Sequence, residues 1–181
     1  MTDAGLDARL RELVRDVPDF PHPGVMFKDI TPLLADHEAF SAVVEALAEA
    51  GRDADGTVVV DKVVGMEARG FILAAPVALA LGTGFVPVRK AGKLPGETHA
   101  VSYALEYGEA TLEVHRDGIT TGDRVLLVDD VLATGGTVHA TCELVALCGG
   151  VVHACAVLME LSFLHGRDAL DGVPLHTLQT V

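Results

Sequence analysis

The chain has 181 residues, half of them apolar, and its 13 Lys and Arg against 26 Asp and Glu leave a net charge of −13. That length fits one domain with at most a small appendage, and that charge speaks against a general grip on nucleic acid or an anionic membrane surface without a local basic patch. Cys142, Cys148 and Cys155 lack CxxC spacing, which argues against a disulfide framework or zinc knuckle and fits a reducing, cytoplasmic setting.

The first ten residues carry Asp3, Asp7 and Arg9 and no apolar run of the kind a secretory signal needs. Leu6, Leu10, Leu13 and Val14 predict an amphipathic opening helix. Pro18, Pro21, Pro23 and Pro32, with Gly24, predict an extended, preset loop over residues 17–31 that is neither helical nor a central strand. From Asp36 as N-cap, Phe40, Val43, Val44 and Leu47 restore helical spacing up to Gly51.

Residues 58–60 and 63–65 read as buried strand, 69–81 as a helix over it and 85–88 as a further strand, a βαβ unit. The uncharged stretch 70–88 raises the question of a membrane span, but Pro76, Gly82, Thr83, Gly84 and Pro87 divide it, so it reads as core. A basic, Gly- and Pro-containing segment follows at 89–96. Residues 101–107 and 110–114 then alternate about Gly108 as a hairpin. An apolar strand over 125–128, a helix to about 147, a Gly149-Gly150 stop and a strand over 151–159 complete the pattern. This alternation predicts a mostly parallel, twisted α/β sheet flanked by helices, with ligands beyond the carboxyl ends of its strands.

The most informative stretch runs Val125-Leu126-Leu127-Val128-Asp129-Asp130-Val131-Leu132-Ala133-Thr134-Gly135-Gly136-Thr137. Adjacent carboxylates can accept hydrogen bonds from a vicinal diol such as a ribose presents. The small-residue run after them leaves backbone N–H groups and the Thr134 and Thr137 hydroxyls free to converge on a phosphate at a helix N-terminus. An isolated Asp-Asp would read as a solvated cap; the composite points to a sugar phosphate. Gly92-Lys93 runs into Leu94, so no P-loop is present, and G-x-G-x-x-G, G-x-S-x-G and H-E-x-x-H are absent. The eight histidines show no metal-ligand spacing.

This stretch resembles the phosphoribosyl-pyrophosphate motif of the type I phosphoribosyltransferases. Pro18-Asp19-Phe20-Pro21, Pro23-Gly24-Val25, Phe27-Lys28-Asp29-Ile30-Thr31, Glu67-Ala68-Arg69-Gly70-Phe71, Arg89-Lys90, Gly92-Lys93-Leu94-Pro95 and Tyr103-Ala104-Leu105-Glu106-Tyr107-Gly108 are similar, in order and spacing, to the adenine branch of that family. The resemblance implies a single domain over 1–181, with a hood for base recognition at about 1–35 and a core over 36–181 carrying a hairpin flap near 89–115. It implies transfer of a 5-phosphoribosyl group from phosphoribosyl pyrophosphate to N9 of adenine, with Mg²⁺ held mainly by the donor and water, and a homodimer.

By the same resemblance Asp129 and Asp130 hold the ribose, and Ala133, Thr134, Gly135, Gly136 and Thr137 hold the 5′-phosphate. Arg69, Arg89, Lys90 and Lys93 meet the pyrophosphate. Met26 and Lys28 read the base edge through their backbone, while Phe27 and Leu161 sandwich the ring. Glu106 and Arg69 carry catalysis, Glu106 from the flap as proton carrier or electrostatic partner. Two alternatives stay open: another acceptor base, and a ligand-sensing regulator without turnover, against which the acidic charge and the lack of a basic module weigh.

Overall fold

The computed structural model describes residues 3–104 and 109–181. The chain divides into two compact units, Met1–Glu45 and Ala46–Val181. The first opens with helix α1 (Asp3–Leu13), whose Leu10 is fully buried. Strands β1 (Arg15–Pro18) and β2 (Met26–Asp29) pair antiparallel, with Val17 opposite Phe27. The proline-rich loop therefore contains a two-stranded ribbon, compatible with Pro18 because that residue lies at the end of an edge strand. Thr31, placed in the loop from sequence, instead opens the short helix α2 (Thr31–Ala35), with Pro32 in its first turn, where no N–H partner is required. Helix α3 (His37–Ala48) starts as its spacing predicts: Asp36 Oδ1 accepts the Ala39 N–H at 2.9 Å, a side-chain N-cap.

The second unit is built on strands β3 (Lys62–Met66), β4 (Gly84–Lys90), β5 (Thr98–Ala104), β6 (Glu109–His115), β7 (Arg124–Leu132), β8 (Val151–Glu160) and β9 (Leu175–Thr180). They form one seven-stranded sheet in the order β5-β6-β4-β3-β7-β8-β9. The five strands from β4 to β9 are parallel, and the β5–β6 hairpin adds an antiparallel edge. Helix α4 (Gly70–Leu81) follows β3 and packs on β3 and β7; helix α5 (Gly136–Leu147) follows β7 and packs on β5, β6 and β8.

Parallel strands covered by helices read as continuous apolar runs, as β7 does: Val125, Leu126, Leu127 and Val128 are all fully buried. Truncating one of these leucines to Ala would cost about 2–5 kcal/mol. Two readings from sequence change. Residues 58–60 do not form a strand: Val58 makes an isolated bridge back to Arg52, and only Val60 is buried, because a turn at Asp53–Gly56 folds this segment on itself. Strand β9, not foreseen, adds to the edge at β8 through a half-buried rather than apolar sequence.

Candidate active site

Chain direction decides where a site can be. β3 is followed by a return to its β4 side, and β7 by a return to its β8 side, so the strand order reverses between β3 and β7. The crevice at such a reversal, beyond the strand ends, is where open α/β sheets bind ligands.

Asp129 and Asp130 sit within β7, which continues to Leu132 rather than ending at the pair. Three residues on, Gly135 takes a left-handed φ of 84° and serves as N-cap of α5 with no side-chain capping bond. The first-turn N–H groups of α5 therefore lack a side-chain acceptor at the positive end of a helix dipole, which suits an anion. A pocket of about 70 Å³ lies there, lined by Asp129 and by the 133–137 loop including Thr134 and Thr137. At ~10–15 Å³ per water it has room for a few waters or one tetrahedral anion. Tyr103 on β5 reaches the same loop, its hydroxyl 3.1 Å from Thr137 Oγ1.

Arg69, the N-cap of α4, places Nε 2.7 Å from Asp130 Oδ2. Asp130 is buried, so this ion pair lies in low-dielectric surroundings on one side and open crevice on the other. Asp129 accepts the Asp130 N–H at 2.8 Å. Lost hydration first, then the adjacent Asp130 carboxylate, push the Asp129 carboxyl well above the usual aspartate range, against the opposing pull of that N–H and of Arg69.

The other predicted cations stand at the end of β4. Glu67 Oε2 accepts the Lys90 N–H at 3.0 Å and Arg89 Nε at 3.2 Å. The Lys90 N–H, then Arg89, hold the Glu67 carboxyl below its usual range despite partial burial. The Arg89 guanidinium also lies 5.8 Å from the Phe71 ring centroid and donates to the Lys93 carbonyl at 3.3 Å. Lys90 and Lys93 are exposed. The peptide bond Glu67–Ala68 is cis.

The phosphoribosyl transferase domain family matches residues 31–171. The adenine phosphoribosyltransferase of a Nocardioides species is 73% identical over 169 residues, covering 93% of this chain and 91% of that one. The chain belongs to the adenine phosphoribosyltransferase family. Adenine phosphoribosyltransferase from Streptomyces coelicolor is 59% identical over 181 residues, covering 98% of this chain and 97% of its own. Among solved structures, the enzyme of Rhodothermus marinus superposes with a TM-score of 0.91 at 51% identity, covering 98% of this chain and 99% of that one. The Saccharomyces cerevisiae enzyme, solved with an imino-altritol bisphosphate and adenine, gives 0.91 at 39% identity, with 97% and 99% covered.

For this adenine phosphoribosyltransferase family member, the predicted site residues fall into three groups. Asp129 lines one pocket with the 133–137 loop while Asp130 pairs with Arg69, and Glu67 joins Arg89 to the Lys90 N–H, with Arg89 also donating to the Lys93 carbonyl. Met26, Phe27 and Lys28 lie on β2 in the first unit, where Phe27 packs edge-on to Phe20 at 5.0 Å and Lys28 Nζ pairs with Asp16 at 2.6 Å. Leu161 follows β8 in the second unit, its N–H bonded to the Leu132 carbonyl at 2.9 Å. Glu106 lies outside the described residues. Sequence reasoning missed two participants. Glu67 organises the basic segment, and Tyr103 touches the 133–137 loop at Thr137; only their presence inside motif segments marked them.

Proposed function

We propose that this chain transfers the 5-phosphoribosyl group of phosphoribosyl pyrophosphate to N9 of adenine, giving AMP and pyrophosphate. The observation that carries the reading is the pocket from Asp129 to Thr137, which sets the Asp129 carboxyl for a sugar hydroxyl beside a helix N-terminus without a side-chain cap for a phosphate. The choice of adenine is supported by the relatives' own activity.

Asp129 and Asp130 accept the ribose hydroxyls, while the 133–137 backbone and the Thr134 and Thr137 hydroxyls receive the 5′-phosphate. Arg69, Arg89, Lys90 and Lys93 face the charge that accumulates on departing pyrophosphate. Glu106 carries the proton or the compensating negative charge for the purine and the cationic sugar. Met26, Phe27 and Lys28 form a base-reading segment on the first unit, with Met26 and Lys28 meeting the base edge through backbone groups and Phe27 its face.

The donor set suits magnesium, since the carboxylates of the crevice offer hard oxygen ligands. An ion there would be held mainly by the oxygens of the donor and by water. When bound, it neutralises pyrophosphate charge. We place the chain in the cytoplasm as a homodimer; three free thiols fit a reducing compartment, and exposed Ile72, Leu79 and Phe85 offer apolar surface for a second copy. No described helix is long and apolar enough to cross a membrane.

The deciding experiment supplies each purine with phosphoribosyl pyrophosphate and Mg²⁺ and measures pyrophosphate release. Adenine is expected to be strongly preferred; equal turnover of hypoxanthine would remove the assignment of the base, and tight binding without turnover would remove the enzyme.

A further inference from the structure

The segment joining β8 to β9 does more than return the chain to the sheet, because its contacts reach the phosphate loop and the strand and helix on either side of it. The Leu161 N–H bond to the Leu132 carbonyl fixes the end of β8 against the end of β7. Gly166, five residues on and buried, lies with its backbone against the loop. A Cβ there would collide with the Ala133 carbonyl oxygen and stand 3.1 Å from Gly135 N. The approach is reciprocal: a Cβ on Gly135 would stand 2.5 Å from the Gly166 carbonyl oxygen and 2.6 Å from Ala169 Cβ. Farther along, His139 Nδ1 on α5 lies 3.3 Å from the Ala169 carbonyl oxygen.

The residue after Gly166 holds it there. Arg167 donates from Nε to Glu160 Oε1 at 3.0 Å and from Nη2 to Glu160 Oε2 at 2.6 Å. Glu160 ends β8 with only 6% of its side chain exposed, whereas Arg167 is 54% exposed. Two parallel bonds from a planar guanidinium fix direction as well as distance, unlike a single-point lysine pair. The fork closes the loop from 160 to 167 onto the rigid end of a buried strand.

We propose that Arg167 is a positioning residue for the 5′-phosphate site. Clamped to Glu160, it seats the Gly166 backbone against Ala133 and Gly135 and so sets the spacing of the N–H donors at the start of α5. The inference rests on the reading that this loop receives the donor's phosphate.

The test titrates ribose 5-phosphate by calorimetry into the wild-type chain and into Arg167→Met, Arg167→Lys and Gly166→Ala, with thermal unfolding and the KM and kcat of each recorded. Arg167→Met and Gly166→Ala are expected to weaken ribose 5-phosphate by about tenfold to a hundredfold. Arg167→Lys, which keeps the charge but loses the fork, is expected to fall between. KM for phosphoribosyl pyrophosphate should rise more than kcat falls. An Arg167→Met protein that melts earlier yet binds like wild type would reduce the clamp to a stability feature and overturn the proposal. Weak binding by Gly166→Ala alone would do the same. Absence of wild-type heat would remove the phosphate-site reading itself, a result distinct from normal wild-type binding with an unaffected Arg167→Met. If Arg167→Met does not fold, Arg167→Lys decides by the same comparison.

Discussion

Arg69 Nε lies 2.7 Å from Asp130 Oδ2, so a cation assigned to pyrophosphate is held by an acid assigned to ribose. On the proposed assignments this pair would couple the two halves of the donor site, since ribose hydroxyls engaging Asp130 would loosen its hold on Arg69.

Asp130→Asn should separate the two halves. Its loss of charge weakens AMP, which needs the diol contact, while Arg69 becomes freer to meet an anion, so pyrophosphate should bind more tightly. Calorimetric titration of each ligand checks this, and parallel weakening of both would contradict the coupling.

Asp129 and Glu67 should give stability opposite dependences on pH. Asp129 titrates above its unfolded value, so the folded chain binds more protons in that window and stability falls as pH rises from the ordinary aspartate range through the raised value. Asp129→Asn should therefore raise the melting temperature at neutral pH, lose that gain in acid, and still impair ribose binding. A lower melting temperature at neutral pH would reverse the sign of this account.

Glu67 titrates below its unfolded value, so its contribution is present above the ordinary glutamate range and is lost as pH falls through the lowered one. Glu67→Gln is expected to cost on the order of 1 kcal/mol at neutral pH, converging with wild type in acid. Denaturant unfolding at several pH values measures it. Turnover should drop as well, because Arg89 and the Lys90 N–H lose their shared carboxylate.

Tyr103→Phe removes the hydroxyl that lies 3.1 Å from Thr137 Oγ1. A single hydrogen bond contributes about 0.5–1.5 kcal/mol, so KM for phosphoribosyl pyrophosphate should rise by up to roughly tenfold with the adenine KM little changed. An unchanged donor KM would separate the hairpin from the phosphate loop.

Glu106→Gln should act on turnover, by about 10² to 10⁴ if the group transfers a proton, while phosphoribosyl pyrophosphate still binds. Single-turnover measurement with equilibrium donor binding distinguishes this from a loss of affinity.

The sequence alone determined the features that depend on near neighbours. Hydrophobic spacing specified α1 and α3, an unbroken apolar run ending at Gly82 marked α4, the glycines on either side bounded α5, and four apolar residues announced β7, because each signal lies within one element and the turn after it. Only the tertiary structure decided the pairings across distance: Arg69 with Asp130, Glu67 with Arg89 and the Lys90 N–H, Tyr103 with Thr137, and Gly166 with Gly135. Strand β9 escaped notice for the same reason that residues 58–60 misled. A strand exists when a neighbour accepts its backbone hydrogen bonds: β8 accepts those of β9, whereas Val58 finds only a local bridge to Arg52. Local pattern selects elements, but the order in which the sheet assembles them selects partners.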